Sequence, residues 1–528
     1  MALLNVSCLR YYKLSNVQAV RHYHRVSKLF QPLSVKPKDA TVTKDEAISI
    51  SQKLLMDTGI ISLRSNGMFA LLPLGERVMM KLTKLIDKEM SCIGAQRLSL
   101  PLLTSGDLWK KTGRWESTGQ ELLKIEDRHG KEYVLSPTHE EAITSLMSEI
   151  YPFSFRQLPL RLYQINSKFR DEMKPRFGLL RCREFIMKDL YTFDNSVEAA
   201  HDTYQEICSA YDRIFHRLRI PFLKVTGDCG SIGGTHSHEY HYISPTGEDT
   251  LCVCDNCGNS KNAELVSSDK SDSCDKCGSH VHQVAGIEVG HTFLLGTKYS
   301  KPLKALYQNE SGKPELLQMG CYGIGVSRLL AASVEVLAED KNIKWPWEIV
   351  PFKICLIGPK KGSKEASSAL WVDHLAEVMS GMPGLLDEVV VDDRDRLTIG
   401  KRVMEAKQSG YPFIIVVGKR ACEMVPMFEL LDCTTGKSEF LSHKMLINWC
   451  VEQLRRQGKM SIHQKRVSKI DQSDWIFICL QMCTSLIYFM QICVTFHEIL
   501  LVYRKDKKSD IVQNGSRDGI LCSIVACT

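Results

Sequence analysis

The sequence predicts two folded parts, a large α+β unit followed by a smaller α/β unit. Three observations predict this. Residues 162–170 and 182–193 read as two strands joined by a Gly- and Arg-rich loop, an antiparallel hairpin. Apolar residues recur at helical spacing from Val78 to Ile93 and from Val197 to Leu218. After Trp345-Pro346-Trp347, strand-like 353–357, 388–391 and 413–417 alternate with helical 364–379 and 398–409, the pattern of a mixed or parallel sheet. A chain of 528 residues is also too long for one core.

The elements follow in order. Residues 1–38 carry Arg10, Lys13, Arg21, Arg25, Lys28, Lys36 and Lys38 and no acid. A basic leader over 1–40, free of acids up to residue 38, has the marks of a mitochondrial transit peptide, with a nucleic-acid-binding tail as the alternative. The leader accounts for the net charge of +7, so the body is close to neutral. A nucleic-acid partner would then be held by local basic patches. No continuous apolar signal core directs the chain to an oxidising compartment, so the twenty cysteines read mostly as thiols.

A long amphipathic helix starts near Gly75, and 96–100 reads as a strand stopped by Pro101. The hairpin follows. Asn195 with Glu198 three residues on marks the start of the next helix. Residues 226–286 are rich in Gly and Cys, and the small α/β unit ends in a helix near 446–455. The tail from 459 to 528 is different in character. Its apolar run 475–496 reads first as part of an extension that does not join the fold, with a membrane anchor or a docking helix as alternatives.

Two short stretches carry the chemistry. One is Lys168-Phe169-Arg170-Asp171-Glu172, followed after eight residues by Arg181-Cys182-Arg183-Glu184-Phe185; the other is Gly320-Cys321-Tyr322-Gly323-Ile324-Gly325-Val326-Ser327-Arg328. Guanidinium groups fork onto phosphate oxygens better than any other side chain. Arg170 can bridge a carboxylate and an α-phosphate, Glu172 can accept from adenine, Phe185 can stack on the purine, and Arg328 can hold distal phosphates. Catalysis would come from positioning and charge neutralisation, with Mg²⁺ shared among the phosphates. Taken one at a time, these residues read equally well as cross-strand ion pairs and close-packed glycines.

A third pattern is Cys254-x2-Cys257-x16-Cys274-x2-Cys277, with Gly258 and Gly278 after the pairs. Two such knuckles can close a structural Zn²⁺ site; a metal-free knuckle or a redox switch are the alternatives.

The hairpin stretch and 320–328 resemble motifs 2 and 3 of the class II aminoacyl-tRNA synthetases, and the helix and strand ending at Pro101 resemble motif 1. Leu135-Ser136-Pro137-Thr138-His139-Glu140-Glu141, Arg181 to Asp189 and Gly290-His291-Thr292-Phe293 are similar to the prolyl branch of bacterial or mitochondrial type. The resemblance covers roughly 45–457. It implies a catalytic domain on an antiparallel sheet over 45–345, holding the Cys-rich insertion 250–280, and an anticodon-binding α/β domain over 350–457.

It also implies ATP-dependent ligation of L-proline to tRNA(Pro) through a prolyl-adenylate in the mitochondrial matrix, by a homodimer with no functional membrane anchor. Arg170 and Arg328 would be catalytic. Arg170, Glu172, Arg181, Phe185 and Arg328 would bind ATP with Mg²⁺. Thr138, Glu140, Arg170, His291 and Phe293 would bind proline. Arg394, at the end of a strand, would read the anticodon, with Lys401, Arg402 and Lys419 holding phosphate. The interval between Ile232-Gly233-Gly234 and Gly286-Ile287-Glu288 is too short for the editing domain of many bacterial relatives. A catalytically silent RNA-binding accessory protein is the rival reading; it would dispense with Arg170, Glu172 or Arg328, and all three are present.

Overall fold

The computed structural model describes residues 23–32, 48–266 and 273–456. The tail from 459, with its apolar run, and most of the expected leader lie outside these residues. The chain divides into compact units 1–450 and 451–528, and of the second only the last turns of a helix are described.

The larger part of the first unit is a nine-stranded sheet. Its spatial order is His236–Ile243, Leu223–Thr226, Ser260–Asn262, Asp249–Cys254, Val281–Gly296, Gln318–Gly325, Glu184–Asp194, Leu160–Phe169 and Gln96–Arg97, and His236–Ile243 also pairs with Val281–Gly296. The pairings are antiparallel except those of Gln96–Arg97 and of Leu223–Thr226 with Ser260–Asn262. The expected hairpin is therefore the middle of a wide antiparallel sheet.

Helices cover one face. Pro73–Cys92 starts with Pro at its first turn, where the missing N–H costs nothing, and buries Val78, Leu82, Leu85, Ile86 and Met90. Val197–Leu218 is capped by the Ser196 hydroxyl accepting from Ala199 N, one residue after the expected Asn195. Both helices, with Val326–Leu337, pack into one core with Tyr240, Tyr242 and Ile324 of the sheet. A second core forms around Ile143, Tyr191, Phe193, Phe293 and Met319. The space between these cores is where polar groups survive.

Residues 354 onward supply five strands of a six-stranded mixed sheet. Val389–Asp392, Ile354–Ile357 and Phe413–Val416 are parallel, and Met427–Asp432 and Lys437–Ser442, which were not foreseen, extend it antiparallel. The sixth strand was not expected either. His24–Arg25 pairs in parallel with Val389–Asp392, at the sheet's edge. Residues 23–32 fall within the leader expected over 1–40, yet Tyr23 is buried and Val26 and Leu29 pack on the core.

Candidate active site

The site begins at the hairpin, where Lys168 faces Phe185 and Phe169 faces Glu184. Directly after the first strand, Arg170 N donates to Arg183 O at 2.9 Å, which fixes the backbone as it turns away. The Arg170 guanidinium then lies 5.3 Å from the centre of the Phe185 ring, and burial and the charge of Arg328 lower its proton affinity. It lines a cleft of about 460 Å³. The same cleft is lined by Thr138, Glu140, Glu172, Arg181, Phe185, His291, Phe293 and Arg328, so every residue expected to bind nucleotide or amino acid meets there.

One end is built for an anion. Arg328 stands in the first turn of Val326–Leu337, whose positive end opens on the cleft at Gly325. Its Nε donates to Leu180 O at 2.8 Å and one terminal nitrogen to Glu288 O at 3.1 Å. Glu288 faces that guanidinium at 3.4 Å and accepts from His291 Nδ1 at 2.9 Å. Burial alone would raise the Glu288 carboxyl; the hydrogen bond and charge of His291 and the charge of Arg328 outweigh it and hold the group well below the usual carboxylate range. Arg181 Nε lies 2.9 Å from Glu172 Oε2 at the rim and also pairs with Glu248. A Cβ at Gly323 would meet Met187 Sδ only at 3.7 Å, so packing does not demand glycine there. The glycine instead keeps the cleft wall flat.

The other end holds aromatic rings and uncharged polar groups beside Glu140. His291 stacks on Phe293 with ring centres 3.8 Å apart. Thr138 and Glu140 lie at the start of the helix Glu140–Glu149. Two buried polar atoms here, Thr138 Oγ1 and His291 Nε2, have no hydrogen-bond partner among the described residues. Such orphans cost stability unless a ligand meets them.

Three groups were not foreseen. Arg114 is fully buried, and its guanidinium lies 3.1 Å from both Glu140 Oε2 and Glu141 Oε1. It braces two adjacent buried carboxyl groups, and burial raises that of Glu141 against the opposing charge of Arg114. Asp189 pairs with Lys168 at 2.8 Å and accepts from Tyr191 Oη and Gln164 Nε2, each at 2.9 Å. Tyr191 Oη in turn accepts from His139 N at 2.8 Å, so this network fixes the backbone between Thr138 and Glu140. Glu288 is the third. Strict alternation along a strand would put it on the opposite face from His291. An extra residue, Val289, between the pairings Tyr240–Gly290 and His241–Glu288 breaks the alternation and brings the two together.

None of the four cysteines lines this cleft; Cys254 ends the strand Asp249–Cys254, and Cys257, Cys274 and Cys277 lie in the turns between it and Val281–Gly296. Among the described residues, Cys254, Cys257, Cys274 and Cys277 are the one set able to ligate a metal, their sulfurs all within 4.8 Å of one another. Neighbouring sulfurs stand 3.4–3.7 Å apart. A Zn–S bond of about 2.3 Å implies edges of about 3.8 Å in a tetrahedron. Gly258 and Gly278, at φ +66° and +73°, take the left-handed turn that lets each pair point at one centre.

The expected RNA contacts need correction. Arg402 is fully buried and donates to Asp392 O at 3.0 Å and Gly358 O at 2.6 Å, so it cannot reach phosphate. Arg394 is clamped by both oxygens of Asp392, at 2.9 and 2.6 Å, and by Glu405 at 2.7 Å, which leaves no free fork for a base edge. Lys401 is exposed. Near it, at the C-terminal ends of the parallel strands, Lys360, Lys361, Lys364, Arg396 and Lys419 are exposed on adjoining loops; Lys361 N donates to Asp395 O at 2.8 Å.

Comparison with known proteins agrees with this layout. Residues 123–337 match the family described as tRNA synthetase class II core domain (G, H, P, S and T), and 384–453 match an anticodon binding domain. A probable mitochondrial proline–tRNA ligase of Rattus norvegicus is 47% identical over 421 residues, covering 79% of this chain and 88% of the relative. A proline–tRNA ligase of Ehrlichia ruminantium is 35% identical, covering 80% and 99%. The solved structure of Giardia lamblia prolyl-tRNA synthetase in complex with prolyl-adenylate matches with a TM-score of 0.63 at 19% identity, covering 75% of each chain.

Proposed function

The chain belongs to the class II aminoacyl-tRNA synthetases, in the proline–tRNA ligase family, and on that footing we propose that its cleft joins L-proline to tRNA(Pro) at the expense of ATP. A carboxylate oxygen of proline attacks the α-phosphorus of Mg²⁺-bound ATP. The bond to the bridging oxygen breaks and pyrophosphate leaves. A ribose hydroxyl at the tRNA 3′ end then attacks the adenylate carbonyl, its proton is lost, and AMP departs.

Each side chain has a task that fits its position. Arg170 holds the proline carboxylate against the α-phosphate and stabilises the charge that develops there. Arg328 and the helix end behind it hold the distal phosphates, and Glu288 keeps Arg328 in place. Phe185 stacks on adenine while Glu172, steadied by Arg181, accepts at its edge. Thr138 Oγ1 and Glu140 receive the secondary ammonium of proline, and the His291–Phe293 stack walls the ring. The observation that carries this reading is the convergence of Arg170, orphaned Thr138 Oγ1 and orphaned His291 Nε2 on one cleft. Steady-state prolylation tests it: Thr138→Ala should raise the KM for proline about tenfold or more with the KM for ATP unchanged. An unchanged KM for proline would refute the assignment.

The four cysteines have the donor set and spacing for Zn²⁺, which would cross-link a segment with little apolar core of its own. The exposed basic loops at 360–364, 396, 401 and 419 would hold the anticodon stem-loop. The named relatives favour mitochondria, with residues upstream of 23 as leader and the matrix as destination; a homodimer follows from the family resemblance.

A further inference from the structure

The basic residues that make 1–40 look like a leader do not all behave as one. Arg25 and Lys28 lie in the described segment 23–32; Lys28 and Phe30 are exposed, while Tyr23, Val26 and Leu29 turn toward the fold. Its strand His24–Arg25 pairs with Val390 and Val391. Arg25 reaches Asp373 Oδ1 at 2.6 Å, and Tyr23 Oη donates to the same oxygen at 3.3 Å. Ser27 satisfies both oxygens of Asp393: its N donates to Oδ1 at 2.9 Å and its hydroxyl to Oδ2 at 2.6 Å.

The segment also binds the catalytic part. The His24 ring meets Asp387, which pairs with Arg77 of the helix Pro73–Cys92 at 2.8 Å. Gln31 Nε2 donates to Thr58 O at 2.8 Å, at the end of the helix Ile50–Asp57. Val26, Leu29 and Gln31 line a small cavity of about 120 Å³ together with Thr58, Arg394 and Glu405. One ten-residue stretch thus touches the loop that begins at Asp393, the cavity beside the clamped Arg394 and one helix end of the catalytic part, and reaches a second helix through Asp387.

We propose that residues 23–32 are a retained strap of the working enzyme: leader removal stops at or before Tyr23, and Arg25 and Ser27 are positioning residues that set the loop after Val389–Asp392 for RNA binding. The inference rests on the tRNA reading above. Without the strap, Asp393 loses both partners and the sheet exposes the edge of Val389–Asp392, while the cleft 138–328 keeps all its residues. The expected defect is therefore selective.

Three forms of the chain test this: full length, residues 23–528 and residues 33–528. Full length and 23–528 should agree in proline-dependent pyrophosphate exchange and in KM for tRNA(Pro). The 33–528 form should keep exchange within about twofold and raise the KM for tRNA(Pro) about tenfold. Should 33–528 not fold, the point variants decide. Ser27→Ala should raise the KM for tRNA(Pro), Ser27→Thr should restore it, and Arg25→Asp should be rescued by Asp373→Arg. N-terminal sequencing of the protein recovered from mitochondria should find Tyr23 retained.

A mature terminus beyond Tyr23, or Ser27→Ala with wild-type KM for tRNA(Pro), overturns the proposal. If proline-dependent exchange is missing from all forms, the ligase reading fails instead. The strap is then judged on melting: a lower midpoint for 33–528 than for 23–528 supports it, and equal midpoints refute it.

Discussion

At the scale of residues, the cleft works by leaving selected polar groups unpaired while pairing their neighbours. Thr138 Oγ1 and His291 Nε2 are orphans, whereas Glu140, Glu172 and Glu288 are each held by an arginine or a histidine. Arg170→Ala should lower exchange by about a hundredfold or more, because its charge matters most where charge develops; a loss under tenfold would remove it from the centre of the mechanism. Arg402 makes the opposite case. Its guanidinium serves two buried carbonyls, so Arg402→Met should cost about 2–4 kcal/mol of stability and leave the KM for tRNA(Pro) unchanged in the folded fraction, as melting and prolylation would show.

Lys188 adds a pH dependence. It is buried against Tyr211 Oη and Tyr322 O, and burial draws its ammonium down to about 7. The unfolded chain therefore binds more protons than the folded one between about pH 7 and the ordinary lysine value, and stability should rise with pH across that window. Lys188→Met should flatten that rise in thermal melts from pH 7 to 9; an unchanged slope would assign the dependence elsewhere.

At the scale of elements, local chemistry was legible and register was not. The helix periodicities, the hairpin and the cysteine knuckles all follow from short-range spacing. Glu288 escaped because one extra residue at Val289 turns the strand's faces. Arg114 escaped because its partners lie 26 and 27 residues away and nothing in Gly113-Arg114-Trp115 announces them. Arg394 and Arg402 were misjudged for a related reason: a strand end and a helix look exposed until the carboxylates and carbonyls around them are known. The knuckle makes its own prediction. Metal analysis should find about one Zn²⁺ per chain, and chelation should lower the melting temperature while proline-dependent exchange persists; a metal-free protein with unchanged melting would leave the cysteines as packing.

At the scale of the whole molecule, two folded parts divide the labour. On the proposed reading, the antiparallel sheet would carry nucleotide and amino acid in one cleft, and the mixed sheet would offer the exposed basic loops to RNA. Reversing the charges of Lys401 and Arg396 should raise the KM for tRNA(Pro) about tenfold at low salt, with a smaller effect at high salt, and leave exchange intact. Composition showed that the basic excess lies in the leader region, but it could not show where that region stops. Only pairing with Val389–Asp392 separates 23–32 from what precedes it.

The most direct test of the central claim is ATP–pyrophosphate exchange with each of the twenty amino acids, using residues 23–456. Exchange with proline alone is the predicted result. Exchange with another amino acid in preference to proline, or with none while the protein is folded, would contradict the account.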